Sequence, residues 1–188
     1  RRDMGESLFQ IQRSHRPLPE VTTPSLAALE EYSEGSLLWD RENEDQAMQH
    51  YQRAVAIDPD FAMAHAALGF AYYSFIYNEP GLGEREFREA LVLAPRTTDR
   101  ERASIETRYA ESQGRIEDAL RLYRSFLAQW PGDSVARQEY ARLLRMHGRA
   151  EEAVPLYKQV LDQTPDDPST YIELATAYAQ LGRAQDSV

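Results

Sequence analysis

The chain has 188 residues, no cysteine and a net charge of −10 at pH 7, which excludes disulfides and thiolate metal sites. It also argues against a general nucleic-acid binder, since contact with phosphates needs a basic face. No apolar run approaches the length of a membrane span and no signal-peptide pattern is visible, so the composition, 42% hydrophobic and 28% charged, predicts a soluble helical domain in a compartment left open.

Residues 1–24 stand apart as an N-terminal helix and linker. Asp3 to Arg13 predicts a short helix with Met4, Leu8 and Ile11 on one face, and Arg16-Pro17-Leu18-Pro19 ends it. Thr23-Pro24-Ser25 then restarts helix formation, an N-cap followed by proline. One reading makes the segment a linker packed on the helices that begin near residue 25; the other makes it a partner-binding or membrane-proximal piece.

From residue 25 onward one pattern recurs. Ala47, Tyr51, Ala54 and Pro59 are echoed by Gly83, Phe87, Ala90 and Pro95, by Ala119, Tyr123, Phe126 and Pro131, and by Ala153, Tyr157, Val160 and Pro165. The prolines fall 36, 36 and 34 residues apart, a period that marks a stacked-repeat architecture. The units are placed at 25–59, 60–95, 96–131, 132–165 and an incomplete 166–188. Each predicts two helices. In the fourth, Val135, Tyr140, Ala141, Leu143 and Leu144 recur at helical spacing up to the break at Gly148. Ala153, Val154, Leu156, Tyr157, Val160 and Leu161 resume it. Pro165 forbids continuation because it lacks an amide hydrogen. Asp133 or Asp167 then suits an N-cap, and Pro168 the first helical position.

Paired helices are expected to join near Arg41 to Asp45, Asn78 to Leu82, Gly114, Gly148 and Gly182. The first unit carries Glu31 and Glu34 where bulky apolar residues are expected, as suits an end repeat. The second holds a two-residue excess around Asn78 to Gly81. The third has two extra residues between Pro95 and Ala119, so Ile105 and Tyr109 fit two registers. A chain opening on Arg1 and ending at Val188 inside the fifth unit reads as a fragment of a longer protein. Ile172 and Leu181 then lack their usual cover, and weak self-association through that end is expected.

The first-helix residues His65, Leu68, Gly69 and Tyr72, and again Tyr171, Leu174, Ala175 and Tyr178, followed by a second helix with Ala, an aromatic and Ala and a closing proline, resemble the tetratricopeptide repeat. The resemblance implies an all-α, right-handed solenoid of stacked antiparallel helix pairs. A second resemblance is carried by Gly5-Glu6-Ser7-Leu8, by Thr22 to Leu29, and by Arg100-Glu101-Arg102 with Ile105-Glu106. These look like the sensor regions of bacterial proteins in which such repeats follow a serine/threonine kinase or a winged-helix DNA-binding domain. That implies a regulatory module whose catalytic or DNA-binding domain lies outside this chain, and no kinase residue is present here.

Within these residues no catalytic constellation assembles. His15, His50, His65 and His147 are dispersed, with no His-Glu-x-x-His pair and no Gly-rich phosphate loop, so neither metal nor cofactor is expected. His65 falls at a packing position and reads as a satisfied core histidine. Glu30-Glu31 and Glu151-Glu152 read as solvated helix faces.

What remains is binding of a protein or peptide segment. The first helix of each unit lines the concave side of such a solenoid. The resemblance implies ligand contact through Leu29, Tyr32, Ser36, Trp39 and Asp40, then Met63, Ala66, Phe70, Tyr73 and Ser74, then Glu101, Ser104, Arg108, Glu111 and Ser112. The fourth unit supplies Val135, Gln138, Arg142, Arg145 and Met146, and the fifth Ser169, Ile172, Thr176, Ala179 and Gln180. Tyr32, Trp39, Phe70, Tyr73, Arg108, Gln138, Arg142, Arg145 and Ile172 are the candidate groove residues, since aromatics and arginine are enriched at binding hot spots. Ordinary packing between hairpins is the competing reading for the aromatics. For Arg142 and Arg145 two readings stand: they grip acids of a partner, or they pair with acids of the chain itself such as Glu139 and Glu173. The family's carboxylate clamp for chaperone tails is unmatched, because Tyr32 and Ser36 stand where Lys and Asn are needed.

Overall fold

The computed structural model describes residues 22–40, 43–74 and 77–182. The expected helix at Asp3 to Arg13 and the fifth unit beyond residue 182 lie outside the described residues. Among those described, the ordered elements are helical throughout: α1 Leu26–Asp40, α2 Glu44–Ile57, α3 Ala62–Tyr73, α4 Pro80–Leu93, α5 Asp99–Ser112, α6 Ile116–Gln129, α7 Ser134–Met146, α8 Ala150–Gln163 and α9 Pro168–Gln180, with a 3₁₀ turn at Ala94–Arg96. Consecutive helices pair as antiparallel hairpins, α1 with α2 through α7 with α8, and each hairpin stacks on the next in a right-handed α-solenoid. None is long and apolar enough to cross a membrane.

Small residues set the approach of paired helices. A Cβ on Gly83 of α4 would sit 2.6 Å from the Tyr73 ring and 3.0 Å from the Gly69 carbonyl oxygen. Ala110 and Ala119 are fully buried between α5 and α6, as are Ala141 and Ala153 between α7 and α8. The core is a succession of clusters passed from hairpin to hairpin: one closes on Phe87, Ala90 and Ile105, and the next begins at Ala110 and runs through Tyr123, Tyr140, Leu144 and Tyr157 to Tyr178. The core thus divides within α5.

Caps follow local chemistry. The Asp133 side chain accepts from the Ala136 amide at 2.9 Å and Asp167 from that of Ser169 at 3.2 Å, with Pro168 at the start of α9. Gly114, Gly148 and Gly182 close α5, α7 and α9 with φ of +66°, +75° and +67°, a conformation that costs glycine little. At α1 the cap is Ser25, whose hydroxyl accepts from the Ala28 amide at 3.2 Å. Thr23 instead accepts from Ser25, so Pro24 precedes the cap instead of following it. The start of α4 also differs from expectation: α4 begins at Pro80, where a missing donor is harmless, so Gly81 and Leu82 belong to the helix.

The third unit's register is settled by its start. The 3₁₀ turn carries Pro95 past the end of α4. Thr98 then forms a capping box, its hydroxyl taking the Glu101 amide at 3.2 Å while the Glu101 carboxylate takes the Thr98 amide at 3.0 Å. Ile105 and Ala110 point fully inward as a result, and Tyr109 is half-buried against Phe87 at 5.4 Å.

His65 is a core histidine with both nitrogens bonded: Nδ1 lies 2.7 Å from the Glu86 carboxylate and Nε2 donates to the Pro59 carbonyl at 3.0 Å. Glu31, half-buried in α1, takes His50 Nδ1 at 2.7 Å and Arg53 Nε at 2.8 Å, and the Arg53 hydrogen bond is the largest cause of its lowered pKa. The end repeat thus replaces an apolar contact with a charged one.

Candidate functional site

A cleft of about 320 Å³ runs across the first helices of four hairpins. Leu29 and Tyr32 of α1, Met63 of α3, Glu101, Ser104 and Arg108 of α5, and Val135 of α7 line it, all positions the repeat resemblance implied. Thr22, Arg100, Thr107, Asp133, Ala136 and Glu139 complete its walls, and Tyr123 and Phe126 of α6 its floor. These last two occupy the repeat's core positions and give no sequence signal of facing a groove.

The nine candidate residues separate into groups. Tyr32 and Arg108 line the cleft. Trp39 and Phe70 stand behind Arg108: its guanidinium carbon lies 5.4 Å from the Phe70 ring centre, and Trp39 meets Phe70 edge-on at 5.9 Å. Tyr73 lies within the second hairpin over Gly83, its hydroxyl accepting from Gln113 at 2.7 Å. Gln138 donates to Ser169 at 3.4 Å, tying α7 to α9. Ile172 is 68% exposed on α9.

Arg142 and Arg145 pair with the chain's own acids. Arg142 donates to Glu111 at 2.5 Å and Glu139 at 2.7 Å, and Arg145 donates to Glu173 at 2.7 Å, which also accepts from the Tyr157 hydroxyl at 3.1 Å. Burial alone would raise the Glu139 carboxyl, but Arg142 and Arg108 hold it below the usual range. Burial likewise works against the Arg108 cation, and the field of Tyr32 and Glu139 outweighs it, so its pKa rises. Tyr123, buried beside Glu111 and Glu139, is pushed well up and stays a neutral phenol. Among the described residues no group of three or more His, Asp or Glu side chains is placed to hold a metal ion.

A family model described as TPR repeat matches residues 35–74, and one described as Tetratricopeptide repeat matches 108–168 and 141–188. Among solved structures, a tetratricopeptide repeat protein from Parabacteroides merdae superposes with a TM-score of 0.60 at 15% identity, covering 85% of this chain and 61% of that one. A thermophilic TPR protein from Thermus thermophilus gives 0.57 at 19%, covering 86% of each chain. Pseudomonas aeruginosa pilF gives 0.52 at 22%, covering 86% of this chain and 73% of that one. At these identities the likeness concerns the fold. No curated protein matches the chain.

Proposed function

The chain belongs to the tetratricopeptide repeat family, and from that premise we propose that its concave cleft binds a segment of another protein in extended or helical form. The repeats make it a protein–protein interaction module on a scaffold that is typically non-catalytic. The observation that carries the finer reading is the cleft itself. Four consecutive first helices line one continuous recess in which Leu29, Tyr32, Met63, Phe126 and Val135 supply apolar surface beside a cation. That mixture suits a segment with bulky side chains and acidic character. A regulatory role within a larger bacterial protein belongs to the same proposal; the alternative is a fragment of a serine/threonine kinase or transcriptional regulator whose catalytic or DNA-binding domain lies outside this chain. Its support is the sensor-like residues 5–8, 22–29, 100–102 and 105–106, and the gene's reading frame upstream of Arg1 tests it.

Binding is tested by selecting dodecapeptides from a displayed library on the purified chain and remeasuring the selected peptides on variants. Val135→Asp places a charge in the cleft at a residue 63% exposed, and Val92→Asp places one on α4 at a residue 72% exposed. Loss of about tenfold or more in affinity for the first and no loss for the second is expected. Equal losses, or none, would remove the cleft as the binding surface.

A further inference from the structure

The cleft's lining holds five charged side chains, and four of them are satisfied. Asp133 takes Arg100 at 2.5 Å, and Glu139 takes Arg142 at 2.7 Å. Glu101 closes the capping box of α5 and accepts from Thr22. Arg108 is the exception: among the described residues its guanidinium makes neither an ion pair nor a hydrogen bond, its contact is the face of Phe70, and Glu139 of the same cleft acts on it through its field alone. Phe70 is in turn braced by Trp39, so the cation is held in position with its N–H donors open.

We propose that Arg108 is the recognition point for an internal Asp or Glu of the bound segment, with bulky apolar residues of that segment on both sides of the acid. This rests on the reading of the cleft as a peptide groove. A guanidinium in a recess offers a planar fork to a carboxylate, and partly apolar walls strengthen that charge-assisted pair relative to water. Arg108 lies mid-cleft, with Leu29, Tyr32 and Met63 towards one end and Val135 and Ala136 towards the other. A chain terminus placed on Arg108 would leave one end of the lining uncovered; a side-chain carboxylate from a segment running through covers both. Arg142 and Arg145 do not compete for it, being held by Glu111, Glu139 and Glu173.

The test uses the displayed dodecapeptide library with both ends joined to carrier, so that the peptides present no terminus. Wild type is expected to enrich Asp or Glu at one register between bulky apolar residues. Replacing that acid by its amide in a selected peptide should weaken binding about 10- to 100-fold at low salt and less at high salt. Arg108→Gln should still select the apolar residues and lose the acid. Arg108→Lys, which keeps charge without the fork, should fall between. Acid enrichment absent from wild type, or surviving in Arg108→Gln, would overturn the role of Arg108 while leaving the groove reading intact. Selection insensitive to Val135→Asp would remove both. Two further outcomes would assign another occupant and overturn the proposal: an Arg108-dependent preference for peptides with a free C-terminus and no internal acid, or displacement of selected peptides by a synthetic peptide of residues 1–21 or by added copies of the chain.

Discussion

Helices α5 and α7 hold equivalent places in consecutive hairpins, yet their arginines meet opposite ends. Both turn a similar set inward, Ile105 and Ala110 in one, Tyr140, Ala141 and Leu144 in the other. From α7, Arg142 reaches back to α5 and finds Glu111. From α5, Arg108 reaches back to α3, where Tyr73 holds the place that Glu111 holds on α5, and rests on Phe70 instead. The repeat prescribes inward positions because two helices must pack. It leaves outward ones free, so one substitution between neighbouring hairpins decides whether a cation is paired internally or left without an ion pair.

The largest effect should come from the shared inward pattern. Ala119 and Ala153 are both fully buried at close helix contacts, and Ala119→Asp or Ala153→Asp places an unpaired carboxylate there. A loss of about 4 kcal/mol is expected from each in urea unfolding, equal for the two hairpins within error. Unchanged melting temperatures for both variants would reject the packing register. A much smaller loss at Ala119 would mean that the core's division within α5 weakens the third hairpin.

A middle-sized effect separates the arginines. Arg142→Gln leaves Glu111 and Glu139 without their partner and should cost about 1–3 kcal/mol. Arg108→Gln removes one cation–π contact and the weaker field on Glu139, with no ion pair or hydrogen bond broken, and should cost no more than about 1 kcal/mol. Equal costs would break the comparison.

The smallest effect lies in the second hairpin and uses the third and fourth as controls. Burial opposes the His65 cation, but Glu86 and the Pro59 carbonyl win and raise its pKa; Glu86 is lowered, chiefly by its hydrogen bond to His65. Glu89 adds to the first shift and Arg85, 3.4 Å from Glu86, to the second. His65 therefore contributes fully below its unfolded pKa of about 6.5 and loses that contribution as pH rises through its higher folded value. Glu86 contributes above about 4.5 and loses it as pH falls through its lower folded value. Hydrogen exchange, corrected for intrinsic rates, should show α3 and α4 loosening between pH 6 and 9 relative to α5 to α8. His65→Gln should abolish the difference, and a uniform response across the hairpins would discount the pair.

The sequence alone determined whatever depends on neighbours within a turn or two. Helix periodicity named Ala47, Ala119 and Ala153 as inward, proline's missing donor ended α8 before Pro165, and Gly114, Gly148 and Gly182 marked the closing turns. It also named seven of the residues lining the cleft, because the repeat sets which side of a first helix faces the concave surface. Tertiary structure decided the rest. The 3₁₀ turn and the Thr98 capping box chose between two registers of α5 that periodicity left equal. Tyr123 and Phe126 line the groove although they occupy core positions of the repeat. Above all, pairing of an arginine depends on what stands about thirty residues away on the adjoining hairpin, at a distance set by how hairpins stack. The arginines of α5 and α7 look alike along the chain; in space Arg142 meets Glu111, while Arg108 meets an aromatic ring.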